Sequence, residues 1–127
     1  MGEPQWLRLG ELLQLHDELV ALTGGVPGLR DQGLLESALA RPENRFAYEG
    51  VDDICELAAT YAVAVAKNHP FADGNKRAAF MAMTLFLEIN GRTLTANEDD
   101  ATGVMLEVAG STLGVEELSE WVKSNSR

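Results

Sequence analysis

One cysteine, Cys55, stands alone in 127 residues, which excludes an internal disulfide and leaves the fold without a covalent brace. It falls in a helical pattern and reads as a small core or boundary residue rather than a reactive thiol. No apolar run approaches the roughly eighteen residues that a membrane span requires. The opening residues Met1-Gly2-Glu3-Pro4-Gln5-Trp6 have no basic stretch ahead of an apolar run. No secretory leader is therefore expected, and the expected location is cytoplasmic. Positive charge is also scarce: ten Lys and Arg stand against twenty Asp and Glu, a net charge of −10. Nucleic acid backbones are repelled by such a surface, so neither direct nucleic-acid binding nor nuclease activity is expected.

What is present is an ordinary globular composition. Apolar residues make up 46% and charged residues 24%, which excludes a disordered chain. The length suits one domain spanning residues 1–127 and is too short for two. Apolar spacings of three and four predict an all-α fold, a single compact bundle of about six helices. Leu9 to Leu22 carries the first helix, closed by Gly24-Gly25. Asp31 caps a second, which runs through Leu39 and is stopped by Pro42, with Glu43 to Gly50 left as a connection carrying Phe46 and Tyr48. Asp52-Asp53 open a third helix, which ends near Asn68 because the residue before Pro70 avoids helical geometry. Ala78 to Ile89 is apolar almost all round and is expected to be the buried central helix. Thr93 to Thr95 suggests a short extended piece. Asn97 caps a fifth helix closed by Gly110, and a sixth covers about 114 to 124.

Between the third and fourth helices lies His69-Pro70-Phe71-Ala72-Asp73-Gly74-Asn75-Lys76-Arg77. A helix start has unpaired N–H groups and a partial positive charge, so it binds phosphate. Gly74 lets the backbone approach an anion closely. Lys76 and Arg77 put two cations into the first turn, where each opposes the helix dipole at a cost of roughly 0.3–1 kcal/mol. A bound polyphosphate would offset that cost. Lys67 joins them as the one local concentration of positive charge in an acidic chain. Asp73 is placed to hold Mg²⁺ against the phosphates of ATP or another nucleoside triphosphate. Asn75 is placed to orient the loop or a phosphate oxygen, and Phe71 to point into the core and pin the loop. His69 is the one imidazole there, a residue type suited to take a proton from an attacking hydroxyl. Alone, His69 would read as structural, Lys76 and Arg77 as solvated charges, and Asp73 as a loop or cap residue. Their grouping favours phosphoryl transfer, which mainly demands positioning and charge neutralisation.

This nine-residue run resembles the signature of the Fic/Doc superfamily in its Doc branch. The likeness extends to residues 24 to 39 and to the Ala-Tyr-Glu-Gly, Leu-Ala-Ala-Thr-Tyr and Leu-Phe-Leu-Glu-Ile-Asn-Gly stretches. The resemblance implies a toxin of a toxin–antitoxin pair that phosphorylates elongation factor Tu and halts translation. On that pattern His69 is the base, Asp73 the Mg²⁺ ligand, and Gly74, Asn75, Lys76 and Arg77 the phosphate-binding group. It further implies an antitoxin whose disordered C-terminal segment folds as a helix into a surface groove. No internal Ser/Thr-x-x-x-Glu inhibitory helix is evident, so inhibition in trans is expected. The typical Fic branch, which transfers AMP, has Gly where this chain has Lys76 and Arg where it has Phe80. Both departures favour phosphate over AMP. AMP transfer and a catalytically silent antitoxin-binding module are the alternatives. Outside the loop, His16 reads as a surface or packing histidine, and Arg30-Asp31 as a turn ending in a helix cap. Trp6 and Trp121 read as a pair packed together or as markers of a partner surface.

Overall fold

A computed structural model of the chain describes residues 2–127. It contains six helices: α1 (Leu9–Thr23), α2 (Gln32–Glu49), α3 (Ile54–Asn68), α4 (Asn75–Ile89), α5 (Glu98–Ala109) and α6 (Val115–Ser124). Extended pairing among the described residues is limited to two isolated bridges, Leu29 with Phe71 and Leu94 with Ser126. No helix is long and apolar enough to cross a membrane.

The helix starts follow from local chemistry. The Glu11 carboxylate accepts the Arg8 N–H at α1, and Glu117 accepts the Gly114 N–H at α6. Asp31, Asp53 and Asn97 cap α2, α3 and α5 by accepting first-turn N–H groups. Gly24 and Gly50 end α1 and α2 in the left-handed conformation that glycine adopts without strain. Thr93 to Thr95 pairs with the C-terminal residues, Thr93 and Arg127 exchanging both backbone hydrogen bonds.

Two expectations are corrected. Pro42 does not stop α2, which runs on to Glu49 and absorbs the expected connection from residue 43. Proline removes one backbone bond there, and tertiary contacts further along outweigh the loss. The Arg45 guanidinium donates to Thr60 Oγ1 at 2.8 Å and to Glu56 Oε2 at 2.7 Å on α3, and Phe46 meets the Trp6 ring at 5.6 Å. The central helix is α3, not Ala78 to Ile89. α3 packs against α2, α4, α5 and α6, and from Leu57 to Ala66 every residue is buried. Ala58, Ala59, Ala62, Ala64 and Ala66 let its neighbours approach closely, whereas Phe80, Met81 and Leu85 leave the outer side of α4 only partly covered. A helix made of bulkier apolar residues has the stronger sequence signal, but the one made of small residues takes the centre.

The two tryptophans join the core separately. Trp6 stacks on Phe86 at 5.8 Å and meets Phe46 edge-on, while Trp121 packs partly buried on α6. Cys55 is buried, and burial pushes its thiol pKa up.

Asp53 ties α6 to the start of α3 through Lys123 Nζ at 2.9 Å. Burial raises the pKa of this carboxyl, but hydrogen bonds from Lys123, Glu56 and Cys55 outweigh it and hold the value below the ordinary 3.8. A depressed carboxyl stabilises the fold above its unfolded pKa and loses that contribution as pH falls through the folded value. Asp53→Asn keeps a good cap but loses the charge. Its melting temperature should fall below wild type near neutral pH, and the two curves should converge under pH 3.8. Thermal melts from pH 2 to 7 check this.

Candidate active site

The loop after α3 begins with a conformational exception. His69 is the helix C-cap with φ 48° and ψ 55°, a left-handed geometry that costs a non-glycine residue about 1–2 kcal/mol. The turn reverses the chain, so His69 and the start of α4 line the same cleft. Pro70 and Phe71 are buried, and Ala72 and Asp73 are exposed. Gly74, at φ 73°, leads into α4 with no side chain capping that helix. The first-turn N–H groups of Asn75, Lys76 and Arg77 therefore have no intrahelical acceptor and receive no cap.

The loop's own polar groups are satisfied from four directions. The Asn75 amide bridges it from within: its Oδ1 accepts the Phe71 N–H at 2.9 Å, and its Nδ2 donates to the Phe71 carbonyl at 3.0 Å. The Gly24–Arg30 segment lies alongside as a strap. Arg30 and Asp31 N–H groups donate to the Pro70 carbonyl, and Ala72 N–H donates to the Gly28 carbonyl at 3.1 Å. The Arg30 guanidinium binds the His69 carbonyl at 2.8 Å and the Asn68 carbonyl at 3.0 Å, satisfying the end of α3. From α1, the buried His16 donates from Nε2 to the Asp73 carbonyl at 2.7 Å.

These bonds enclose a cleft of about 570 Å³, lined by Leu19, Val20 and Thr23 of α1, Gly25 of the strap, and His69, Asp73, Asn75, Lys76 and Arg77. Such a volume suits a small ligand. One wall is apolar and the other is cationic. Lys76 and Arg77 are exposed, and neither forms an ion pair among the described residues.

Asp73 is the one carboxylate on the cleft. Its Oδ1 accepts the Gly74 N–H at 2.8 Å and its Oδ2 the Val26 N–H at 3.1 Å. A Cβ on Gly25 would come within 2.8 Å of Oδ2, so the strap approaches this closely because residue 25 has no side chain. Each Asp73 oxygen keeps a free lone-pair direction. That fits a Mg²⁺ ion held by one carboxylate together with water and substrate phosphates. No cluster of three metal-ligating side chains exists among the described residues.

The loop motif thus gathers His69, Asp73, Gly74, Asn75, Lys76 and Arg77 at one cleft, with Phe71 buried behind them. The Asn75 amide is committed to the loop, so only its backbone N–H is left for an anion. Its Nδ2 also sits 3.3 Å from His69 Nδ1. Because Oδ1 is fixed by Phe71, Nδ2 points a proton at the ring. A base acting at Nε2 would need the tautomer protonated at Nδ1, in which this long contact is lost. Sequence reasoning missed His16 and Arg30 as supports of the loop. Arg30 carried no signal beyond a turn. His16 did: it shares the four-residue spacing of Leu12 and Val20 on the buried face of α1.

Among known proteins, a profile of the Fic/DOC family matches residues 6–87. The chain is 46% identical over 81 residues to "Protein kinase doc" of Escherichia phage P1, covering 64% of each. It is 39% identical over 105 residues to "Toxin Doc" of Mycolicibacterium smegmatis, covering 78% of this chain and 81% of that one. The chain therefore spans under two thirds of the phage relative's length and about four fifths of the mycobacterial one's.

Replacing Asn75 by Ala should unmoor Phe71. Losing both of its bonds in a part-buried setting is expected to cost about 1–3 kcal/mol. Urea unfolding measures the loss, and hydrogen exchange should show the Phe71 amide becoming fast.

Proposed function

Because the chain belongs to the Fic/DOC family, we propose that it is the toxin of a toxin–antitoxin pair, transferring the γ-phosphate of a nucleoside triphosphate to a protein hydroxyl. Elongation factor Tu is the target on this reading, and arrest of translation the result. One relative is named a protein kinase and the other a toxin. The observation that carries the reading is the shared cleft, where an imidazole faces an uncapped helix start bearing two exposed cations.

The chemistry follows from the layout. The phosphates rest on the N–H groups of Asn75, Lys76 and Arg77, where the partial positive charge of α4 adds to the two side-chain cations. The target hydroxyl enters beside His69. Its oxygen forms a bond to the γ-phosphorus while the bond to the bridging oxygen breaks, and His69 takes the hydroxyl proton. The nucleoside diphosphate leaves with its growing charge neutralised by Lys76 and Arg77. Asp73 would hold Mg²⁺, which supplies further neutralisation between phosphate oxygens when bound. Leu19, Val20 and Thr23 offer an apolar wall to the rest of the nucleotide or to the target.

Phosphate rather than AMP is favoured by two positions. Lys76 stands where the AMP-transferring branch keeps glycine, and its side chain occupies space that branch leaves open. Phe80, partly buried against the core, has no charge to pair with a phosphate. The antitoxin on this reading contributes a disordered C-terminal segment that folds as a helix on the toxin. Leu22 at 86% exposure and Val26 at 58%, beside the cleft, are apolar surface for such a partner to cover. The site of action is the cytoplasm, with no part for a membrane or for nucleic acid.

With Mg²⁺ and elongation factor Tu, γ-labelled ATP should label the target protein and α-labelled ATP should not. His69→Ala should fold normally and lower the transfer rate by about 10²–10⁴. Labelling from the α position would replace this reading with AMP transfer. An absence of both labelling and ATP binding would point to a silent antitoxin-binding module.

A further inference from the structure

His16 is fully buried on α1, between Leu12 and Val20 on the same helix face. Its ring stacks on Phe71 at 3.8 Å and 15°. Its Nε2 lies 2.7 Å from the Asp73 carbonyl oxygen, and a Cβ built on Gly74 would sit 3.5 Å from the same nitrogen. A carbonyl only accepts, so Nε2 carries the proton and Nδ1 is the bare nitrogen. That Nδ1 is buried and has no partner, alone among buried side-chain polar atoms of the described residues.

An unpaired buried polar atom is unfavourable, and an apolar side chain would fill the same space without it. Packing alone does not explain a histidine here. The peptide it holds does. In a trans peptide the carbonyl and the following N–H point in opposite directions. With the Asp73 carbonyl drawn inward to His16, the Gly74 N–H points away from His16 and is accepted by Asp73 Oδ1 at 2.8 Å. The orientation of one peptide thereby sets the placement of the cleft's carboxylate and the entry into α4. A flip of that peptide would leave the carboxylate with only the Val26 N–H of its two hydrogen bonds and turn a carbonyl oxygen away from His16, toward where phosphate oxygens are to sit.

We infer that His16 is a positioning residue for phosphoryl transfer: its Nε2–H locks the Asp73–Gly74 peptide in the one orientation that leaves the start of α4 open to an anion. The inference rests on the phosphotransfer reading for its kinetic consequence, but not for its structural one. His16 touches neither nucleotide nor hydroxyl, and it acts through Asp73 and Gly74.

His16→Leu removes the donor and fills the volume, while His16→Gln offers a side-chain N–H to the same carbonyl. Two readouts on the ligand-free full chain test the lock: hydrogen exchange at the Gly74 amide, and the urea midpoint. In His16→Leu the Gly74 amide should lose protection while the midpoint stays level or rises; in His16→Gln the protection should persist. For γ-phosphate transfer from Mg·ATP, His16→Leu should lower kcat about 30- to 100-fold, the scale of a sub-ångström to 1 Å misplacement, and His16→Gln should recover most of it. A residue that merely braces the fold gives the opposite pattern, with stability falling and kcat per folded molecule unchanged. Wild-type kcat in His16→Leu, or an unaltered Gly74 amide in it, would overturn the inference. If wild type itself transfers no label, the phosphotransfer reading fails, and the Gly74 amide still decides whether His16 locks the peptide. Should His16→Leu not fold, the inference stands or falls on whether His16→Gln keeps the Gly74 protection.

Discussion

The pair of hydrogen bonds between the Asn75 side chain and the Phe71 backbone is the constraint on which the site depends. A six-residue link between two helices has no ladder of its own to satisfy its backbone groups, and buried groups left unpaired are costly. Asn75 solves this from the first turn of α4 by giving Phe71 both a donor and an acceptor. Phe71 is then buried, and the loop closes over it in a fixed curve. The strap, Arg30 and His16 each take a carbonyl or an N–H that Asn75 does not reach. With its backbone bonded inward or to the strap, the loop turns His69, the Asp73 carboxylate and the open start of α4 outward.

That outward face works against the electrostatics of the rest of the chain. The net charge is −10, yet two exposed cations lie where a helix dipole already supplies positive charge, and among the described residues no acid pairs with them. Several other helices open on acids, and two close on lysine. Asp53, Glu98, Asp99, Asp100, Glu116 and Glu117 sit at helix starts, and Lys67 and Lys123 in last turns. Only α4 carries basic residues in its first turn. An acidic surface around a small cationic pocket disfavours long polyanions more than compact ones.

Much of this could be read from the residues, for identifiable reasons. Caps and stops written in single residues, such as Asp31, Asp53, Asn97 and Gly24, placed most helix ends correctly. The contiguous motif at 69–77 pointed to the family because its parts lie next to one another in the chain. Pro42 misleads because its penalty is local, whereas Arg45 and Phe46 extend the helix through partners on α3 and at the N-terminus. Residue bulk points to α4 rather than α3 as the central helix because bulk and centrality differ, and the alanines of α3 show their worth only once neighbours close around them. His16 and Arg30 escaped notice as supports for a similar reason. Their partners are carbonyl oxygens 57 and 38 to 39 residues away, and backbone atoms leave no trace in a sequence.

Local rules are broken at several points in the chain, and where the breaks fall is informative. Ser111, with φ 62°, lies in the turn between α5 and α6 and is an isolated exception. Around residue 69 the exceptions accumulate. His69 is left-handed, Lys76 and Arg77 oppose their helix dipole, the start of α4 has no cap, and the imidazole beneath keeps a buried nitrogen unpaired. Each is unfavourable by itself, and a sequence shaped for stability alone would have removed them one at a time. The first three share a consequence: together they leave an open positive cleft with a ring at its edge. Strain without a shared direction marks a turn, whereas strain converging on one pocket marks the place where a ligand supplies the missing interactions.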